Sequence, residues 1–593
     1  MNRIFGLAVV SVVALLTLLL FTLPVPSNAV ALIDAGLIIE NAYVTDETGA
    51  RTTESIVMEG GHIVQISETP PVSATATRID GTGLTAIPGL IDSHTHSYGS
   101  ALTDALRWGV TANVDMFSAP TVLGTSRAQR EDVNQVSQAD LYSAGMLATA
   151  EGGHGTQFGL PVETLATPDD ATAFVLARKK EGSDFIKLVY MPNQSRVPSL
   201  DRATARAVID AAHTEGLLAV AHISIQQAAQ HMIEDGIDGL VHVFADEAVS
   251  DELVQLAQRN NVFVVPTLAI IASVAGIDDP VAEHDEVKKW LSPMQAQTLG
   301  ARFPSGIPGF DFETALGNVR ALHEGGVMIL AGSDAPNPGT AHGYSLHREL
   351  ELLASAGLSP TEALLAATRY PAQAFGLKQR GELSVGQRAD VLLVRGNPYQ
   401  NVSAARQIKH VIKNGHEISR RERPKSSNPP IETGQLSAFE QDLKGPGSLQ
   451  WSATSDSIMG GNSTATIERV KRDGENYALA VKAEVQPGFA YPWAGVGLGA
   501  GPSASPVDLT AFAVIRFEIR GTPGRYRLMM FSGRGAGAPP TLEFDVTKTW
   551  QTVTLPLERF AGFDAKAFSM LSIVGDTRPR VVEFEIDEVR FDP

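Results

Sequence analysis

Pro88-Gly89-Leu90-Ile91-Asp92-Ser93-His94-Thr95-His96 is the stretch on which the fold turns. It completes an apolar run, 86–96, that ends on two histidines one residue apart. Alternate residues of an extended strand share a face, so both imidazoles can point at one place. A His-x-His pair alone is weak evidence and more often incidental. The pattern downstream gives it weight. Seven further buried-strand runs read in order as 110–116, 141–148, 185–190, 217–223, 239–243, 262–268 and 327–333. Amphipathic helical stretches separate several of them, including 200–215, 225–235 and 251–259. Apolar strands joined by helical crossovers indicate a parallel sheet covered by helices, and eight of them indicate a closed (β/α)8 TIM-type barrel over 86–380. The connection 269–326 is long and is expected to carry a lid or substrate-binding elements.

The flanks read differently. Short β-like runs precede the barrel, such as Leu37-Ile38-Ile39 and Ser55-Ile56-Val57-Met58, with Gly60-Gly61 as a turn. The same texture returns at 389–394 and 408–415. Residues 30–85 and 381–416 are therefore expected to form one small composite β-sandwich around the barrel. A polar stretch, 417–433, contains Arg420-Arg421-Glu422-Arg423-Pro424-Lys425 and Pro429-Pro430 and reads as a linker. Residues 434–593 alternate in short strands and read as a separate all-β domain. Gly495-Val496-Gly497-Leu498-Gly499-Ala500-Gly501 lacks the strand, helix and acidic partner of a dinucleotide site and is expected to be a loop of that domain. At the other end, Asn2 and Arg3 precede an apolar run, 4–23, then Pro24, Pro26 and small residues. That pattern reads as an export signal, 1–29, and implies an extracytoplasmic protein, periplasmic or secreted. The alternative is an uncleaved anchor, the one case that brings a membrane into play.

Bulk composition narrows the chemistry. The 593 residues exceed what one hydrophobic core supports. Acids outnumber bases 66 to 47, a formal charge of -19, which argues against a nucleic-acid partner. Cysteine is absent, so any metal must be held by histidine, carboxylate or a modified lysine.

Polar residues recur where barrel strands end. Lys187 lies in the fourth run, His222 closes the fifth, His242 nears the end of the sixth, and Asp334 follows the eighth in Gly332-Ser333-Asp334. His154 sits in the third strand-end loop, Gly152-Gly153-His154-Gly155. Each has a bland reading: a satisfied core histidine, a paired lysine, a helix cap at Asp334. Six such residues on the carboxyl rim of one barrel, counting His94 and His96, favour a metal site. His213, His231, His323, His342 and His347 read as solvated or structural, with His342 the one placed to approach the rim.

With Pro88–His96, the runs ending near His222 and His242, and Ala331-Gly332-Ser333-Asp334 in hand, residues 32–416 resemble the amidohydrolase superfamily. Gly386-Gln387-Arg388-Ala389-Asp390-Val391 fits its return strand. Gly152–Gly155, Gly182-Ser183-Asp184-Phe185-Ile186-Lys187, Glu349-Leu350-Glu351-Leu352-Leu353 and Ala356-Gly357-Leu358-Ser359-Pro360 look like the imidazolonepropionase-related and prolidase-like branch. That resemblance implies two divalent ions, zinc, bridged by carbamylated Lys187. His94, His96, Lys187 and Asp334 would surround one ion, and Lys187, His222 and His242 the other. It further implies hydrolysis of a C–N bond of a small-molecule substrate, amide, peptide-like or cyclic amide, by a metal-bridged hydroxide. Asp334 would move the proton and His154 would contact the substrate. Alternatives on the same site are a lactonase or phosphotriesterase-like hydrolase, or a non-catalytic binding protein acting through its last domain. Leu188-Val189-Tyr190-Met191-Pro192 departs from the Ser-Gly-Gly stretch common after that lysine, so the resemblance does not by itself imply dipeptide specificity, and a dipeptide stays one of several candidate substrates.

Trp451, Asp456-Ser457-Ile458-Met459-Gly460-Gly461-Asn462-Ser463 and Trp550–Leu557 resemble the complex I intermediate-associated protein 30 family over 436–592. This implies a galactose-binding-like jelly roll, with a sugar or protein ligand or a passive stabilising role.

Overall fold

The structure is a computed structural model that describes residues 36–45, 51–71, 73, 75–156, 162–192, 197–303, 311–420, 434–445, 449–456, 463–474, 476–486, 492–500, 507–532 and 539–593. The export-signal reading of 1–29 and most of the linker reading of 417–433 lie outside the described residues. Among the described residues, no helix is long and apolar enough to cross a membrane.

Eight parallel segments form a closed ring. Leu90–Thr95, Val110–Asp115 and Asp140–Ser143 make one ladder, and Ile186–Val189, Ala219–His222, Gly239–Val241 and Phe263–Val265 make another. Ala148 joins the two, donating to the Lys187 carbonyl and accepting from Val189 N. The eighth segment, 328–331, bonds to Val264 on one side, while Ala331 accepts from Ser93 N on the other. Helices start where the chain supplies a cap. In Asp251–Arg259, Ser250 accepts from Leu253 N, Asp251 and Glu252 occupy the first turn, and Leu253 and Ala257 turn inward.

Three strand boundaries differ from the sequence reading. The run 86–96 is two strands in two sheets: Leu84–Pro88 pairs with Val391–Arg395, and Leu90–Thr95 enters the barrel. The break is at Gly89, where a Cβ would run into the Thr111 side chain. Hydrophobic periodicity cannot register that collision. The run 262–268 stops at Val265, because Pro266 and the left-handed Thr267 turn the chain into the helix Leu268–Val274. The run 141–148 pairs regularly only to Ser143. The segment 269–326 is largely helical, with Asp285–Lys288, Pro293–Gly300 and Phe312–Glu324.

The flanking β layer, expected as a composite β-sandwich, is one continuous eight-stranded sheet. Leu37–Thr45 pairs with Thr77–Asp80 along its first half and meets Leu84–Pro88 at Tyr43. A bulge between Ile39 and Ala42, with Asn41 at φ 58, bends the strand between these partners. The sheet's faces alternate between two cores. Ala86, Val391 and Leu393 join the sheet's own cluster, whereas Ile87, Leu392 and Val394 join the barrel's. A buried ionic cluster crosses the junction. Asp140, opening the third barrel strand, accepts from Lys413 Nζ at 2.9 Å and Arg380 Nε at 2.9 Å, and Lys413 also reaches Asp390 at 2.8 Å.

The C-terminal part is antiparallel. A six-stranded sheet has Asn476–Val485 beside Arg580–Asp592, and a five-stranded sheet is centred on Phe568–Gly575. Alternate residues such as Leu479, Val481 and Phe584 from the first sheet share a core with Trp451, Tyr526 and Ile573 from the second. The glycine-rich stretch is a strand, Ala494–Ala500, and not the expected loop. Its glycines leave room for Met570, which a Cβ at Gly497 would meet at 2.5 Å. Residues 457–462 of the Met-Gly-Gly element lie outside the described residues. Its base is closed by buried Asp456, which accepts from Ser463 N and Oγ at 2.9 and 2.7 Å.

Candidate metal centre

The period-2 rule that pairs His94 with His96 also puts Asp92 on the same face. Asp92 is fully buried, and it bolts the first barrel strand to the eighth. Its carboxylate accepts from Ser333 N at 2.9 Å, Ser333 Oγ at 2.6 Å and His94 N at 3.2 Å. Burial raises that carboxyl to about 7, against the pull of these donors. The residue after Ser333, Asp334, takes a left-handed backbone at φ 51 and turns its carboxylate back over the rim. Asp334 Oδ1 lies 3.3 Å from His94 Nε2 and 3.0 Å from His96 Nε2. Asp334 Oδ1 and the other His94 nitrogen, Nδ1, are buried with no hydrogen-bond partner of regular geometry.

The cluster continues around the rim. The His94 and His242 rings are 4.9 Å apart, and His242 Nε2 is 3.0 Å from His222 Nδ1. The His222 and His154 rings are 4.8 Å apart. His242 also has a left-handed backbone, φ 73. Its Nδ1 is 2.7 Å from Thr267 Oγ1, and the single Thr267 hydroxyl proton goes to the Pro266 carbonyl. Thr267 then accepts from His242 Nδ1, and His242 Nε2 is left as the acceptor that faces His222 Nδ1. Lys187 is buried within the same group.

Burial decides the charge states. It lowers His94 and His154 to about 4 and holds His222 and His242 well below the usual imidazole value. Burial also brings the Lys187 ammonium down to about 7, with Asp334 opposing. For Asp334 burial alone would favour the neutral acid. His94 and His96 overcome it and hold the carboxyl well below its ordinary value. Neutral imidazoles with bare nitrogens and an ionised carboxylate are the donors a first-row divalent ion takes. One ligand atom each from His94, His242 and Asp334 lies within 4.8 Å of the others, so these residues can hold a metal ion. With Asp334 Oδ1 and His94 Nδ1 buried and lacking a regular hydrogen-bond partner, the residues fit such an ion.

The structure thus links His94, His96, His154, His222, His242 and Asp334 through a chain of contacts, with Lys187 buried within electrostatic reach of them. Of the other histidines, His213 contacts Asp238 at 2.8 Å, His231 contacts the Tyr190 hydroxyl at 2.9 Å, and His347 contacts the Trp108 carbonyl at 2.8 Å. His342 is buried and interacts with His96, as its position after the eighth strand suggested. Sequence reasoning missed Asp92, which the alternation rule could have flagged, and Thr267, which no local pattern marks.

Residues 85–418, more than half of the chain, match the amidohydrolase family. The chain belongs to the amidohydrolase family. Residues 439–566 match the complex I intermediate-associated protein 30 (CIA30) family, so the amidohydrolase body is followed by a CIA30 domain. An imidazolonepropionase of Deinococcus radiodurans is 24% identical over 363 residues, covering 59% of this chain and 87% of that protein. Among solved structures, a putative prolidase from Bifidobacterium longum is 26% identical, with a TM-score of 0.53 over 66% of this chain and 97% of its own. A Xaa-Pro dipeptidase with methionine in its active site is 20% identical, with a TM-score of 0.52 over 64% and 99%. The latter likeness speaks for the fold alone.

Proposed function

We propose that this amidohydrolase is a two-metal hydrolase of carbon–nitrogen bonds in small molecules such as dipeptides, acylated amino acids or cyclic amides. One observation carries the reading: an ionised Asp334 converges with buried, neutral histidines from several strand ends, and Asp334 Oδ1 and His94 Nδ1 have no hydrogen-bond partner. A relative named imidazolonepropionase and a solved structure named a putative prolidase support an amide-type bond. In this reading His94, His96, His222, His242 and Asp334 would hold the ions, together with Lys187 as its carbamate. Lys187 suits that role because burial weakens its hold on the proton, and only a neutral amine adds carbon dioxide. When bound, the two ions, assigned as zinc, supply Lewis acidity to a carbonyl and lower the pKa of water. The chain's own groups do the rest. Asp334 takes a proton from the attacking water and returns it to the leaving nitrogen. His154, kept neutral by burial, offers an N–H to a substrate oxygen. Thr267 fixes the orientation of the His242 ring.

The test is a panel of dipeptides, N-acyl amino acids, hydantoins and lactones with the metal-replete protein, alongside metal analysis. Hydrolysis of an amide member and about two equivalents of divalent ion per chain are expected, and Lys187→Ala should lose at least one of them. A metal-loaded protein silent across the panel would overturn the reading, and cleavage of lactones alone would redirect it. The same proposal places the protein outside the cytoplasm, on the pattern of 1–29, and gives the CIA30 domain a jelly-roll fold with a sugar or protein ligand. Mass spectrometry finding an intact Met1 would sink signal cleavage; an isolated domain that binds no glycan on an array and no protein in a pull-down would sink the ligand.

A further inference from the structure

Glu349 is completely buried in the helix Tyr344–Ser355, which follows the eighth barrel strand, and it touches none of the histidines. Its two carboxyl oxygens accept from the two backbone amides that open the helix Leu268–Val274: Leu268 N at 3.0 Å and Ala269 N at 2.7 Å. Those amides immediately follow Thr267. Thr267 is β-branched yet sits at φ 54, ψ 46, a conformation such residues avoid unless their surroundings enforce it. The side-chain contact that conformation serves is the 2.7 Å bond to His242 Nδ1.

We infer that Glu349 is a positioning residue for the metal centre: by clamping the amides of Leu268 and Ala269 it holds Thr267 in its left-handed turn, and Thr267 in turn orients His242. The inference rests on the metal-centre reading for its consequence but on hydrogen bonds for its content. Each link has one replaceable contact. Glutamine keeps the volume of Glu349 but can accept from only one of the two amides, its own NH2 facing the other. Valine keeps the shape of Thr267 and removes the hydroxyl, and serine keeps the hydroxyl and removes the methyl. A carboxylate that merely helps the fold would change stability without selecting for His242. A positioning group changes the centre through Thr267.

The experiment compares wild type with Glu349→Gln, Thr267→Val, Thr267→Ser and the Glu349→Gln/Thr267→Val double variant in the full chain. The readouts are Zn2+ affinity by chelator competition, thermal midpoint and the crystallographic His242 ring position. Glu349→Gln and Thr267→Val should each weaken the affinity about 10- to 100-fold, the usual effect of losing an outer-shell partner. Thr267→Ser should stay near wild type. The double variant should be no worse than the weaker single, because both act through one contact. Multiplicative losses, or unchanged affinity in Glu349→Gln, would overturn the inference. If wild type binds no divalent ion, the metal reading fails by itself. The positioning claim is then decided by the ring: an unmoved His242 in both variants refutes it, and a rotated ring sustains it.

Discussion

Asp334 is ionised because of its neighbours, not because of solvent. Burial works against the charge, and the approach of His94 and His96 outweighs it. That balance makes the residue suited to accept a proton from a polarised water and dictates what its amide would do. Asp334→Asn keeps shape and removes both charge and basicity. The expected result is a fall in kcat of roughly 10²- to 10⁴-fold on whichever amide the panel identifies, with the far-ultraviolet circular dichroism unchanged. A variant within tenfold of wild type would show that the proton travels by another route. The histidines and Asp334 were legible in the sequence because strand alternation and strand ends are local signals. Thr267 and Glu349 were not. Glu349 reaches the turn through Leu268 N, 81 residues away in sequence, and nothing local to Thr267 marks that contact.

At the scale of elements, the same contrast holds. The eight barrel segments are legible because each is a short apolar run between turn signals, and burial on both faces leaves composition as the only mark. Where one sheet stops and another begins is a matter of steric contact, and Gly89 is the clearest case. It separates Leu84–Pro88 from Leu90–Thr95 with no polar residue or turn signature, and it exists to let the Thr111 side chain approach the backbone. Gly89→Ala should therefore destabilise the amidohydrolase body by about 1–3 kcal/mol, the range for overpacking a filled site. Denaturant unfolding would measure it. Thr111→Ala in the same chain should restore part of the loss, since it removes the two atoms in closest conflict. A Gly89→Ala protein as stable as wild type would mean that the junction yields more easily than its packing indicates.

Across the whole molecule, the described hydrophobic clusters divide cleanly. One is drawn entirely from residues 436–591, and the others from residues 37–412. Separate cores unfold as separate units unless a large interface couples them. A chain ending at residue 433 should accordingly keep the Zn2+ stoichiometry and thermal midpoint of the full protein, and loss of either would reveal dependence on the CIA30 domain. Within the amidohydrolase body, by contrast, sheet and barrel are bound through charge. Asp140 is fully buried, a circumstance that by itself raises a carboxyl, yet Lys413 and Arg380 bring it below its ordinary value. A carboxylate depressed in the folded state stabilises that state above its unfolded pKa, and the contribution drains away as pH falls through the lower folded value. Asp140→Asn leaves Lys413 and Arg380 facing a neutral amide, which should cost about 3–5 kcal/mol at pH 7, as for other broken buried pairs. The gap between wild type and variant should then stay constant from about pH 7 to 5 and narrow below about pH 4, because wild type alone loses this charge. Unfolding free energies measured at fixed ionic strength across that range decide the matter: a gap that does not change with acidification would mean that Asp140 is not the ion that holds the sheet against the barrel.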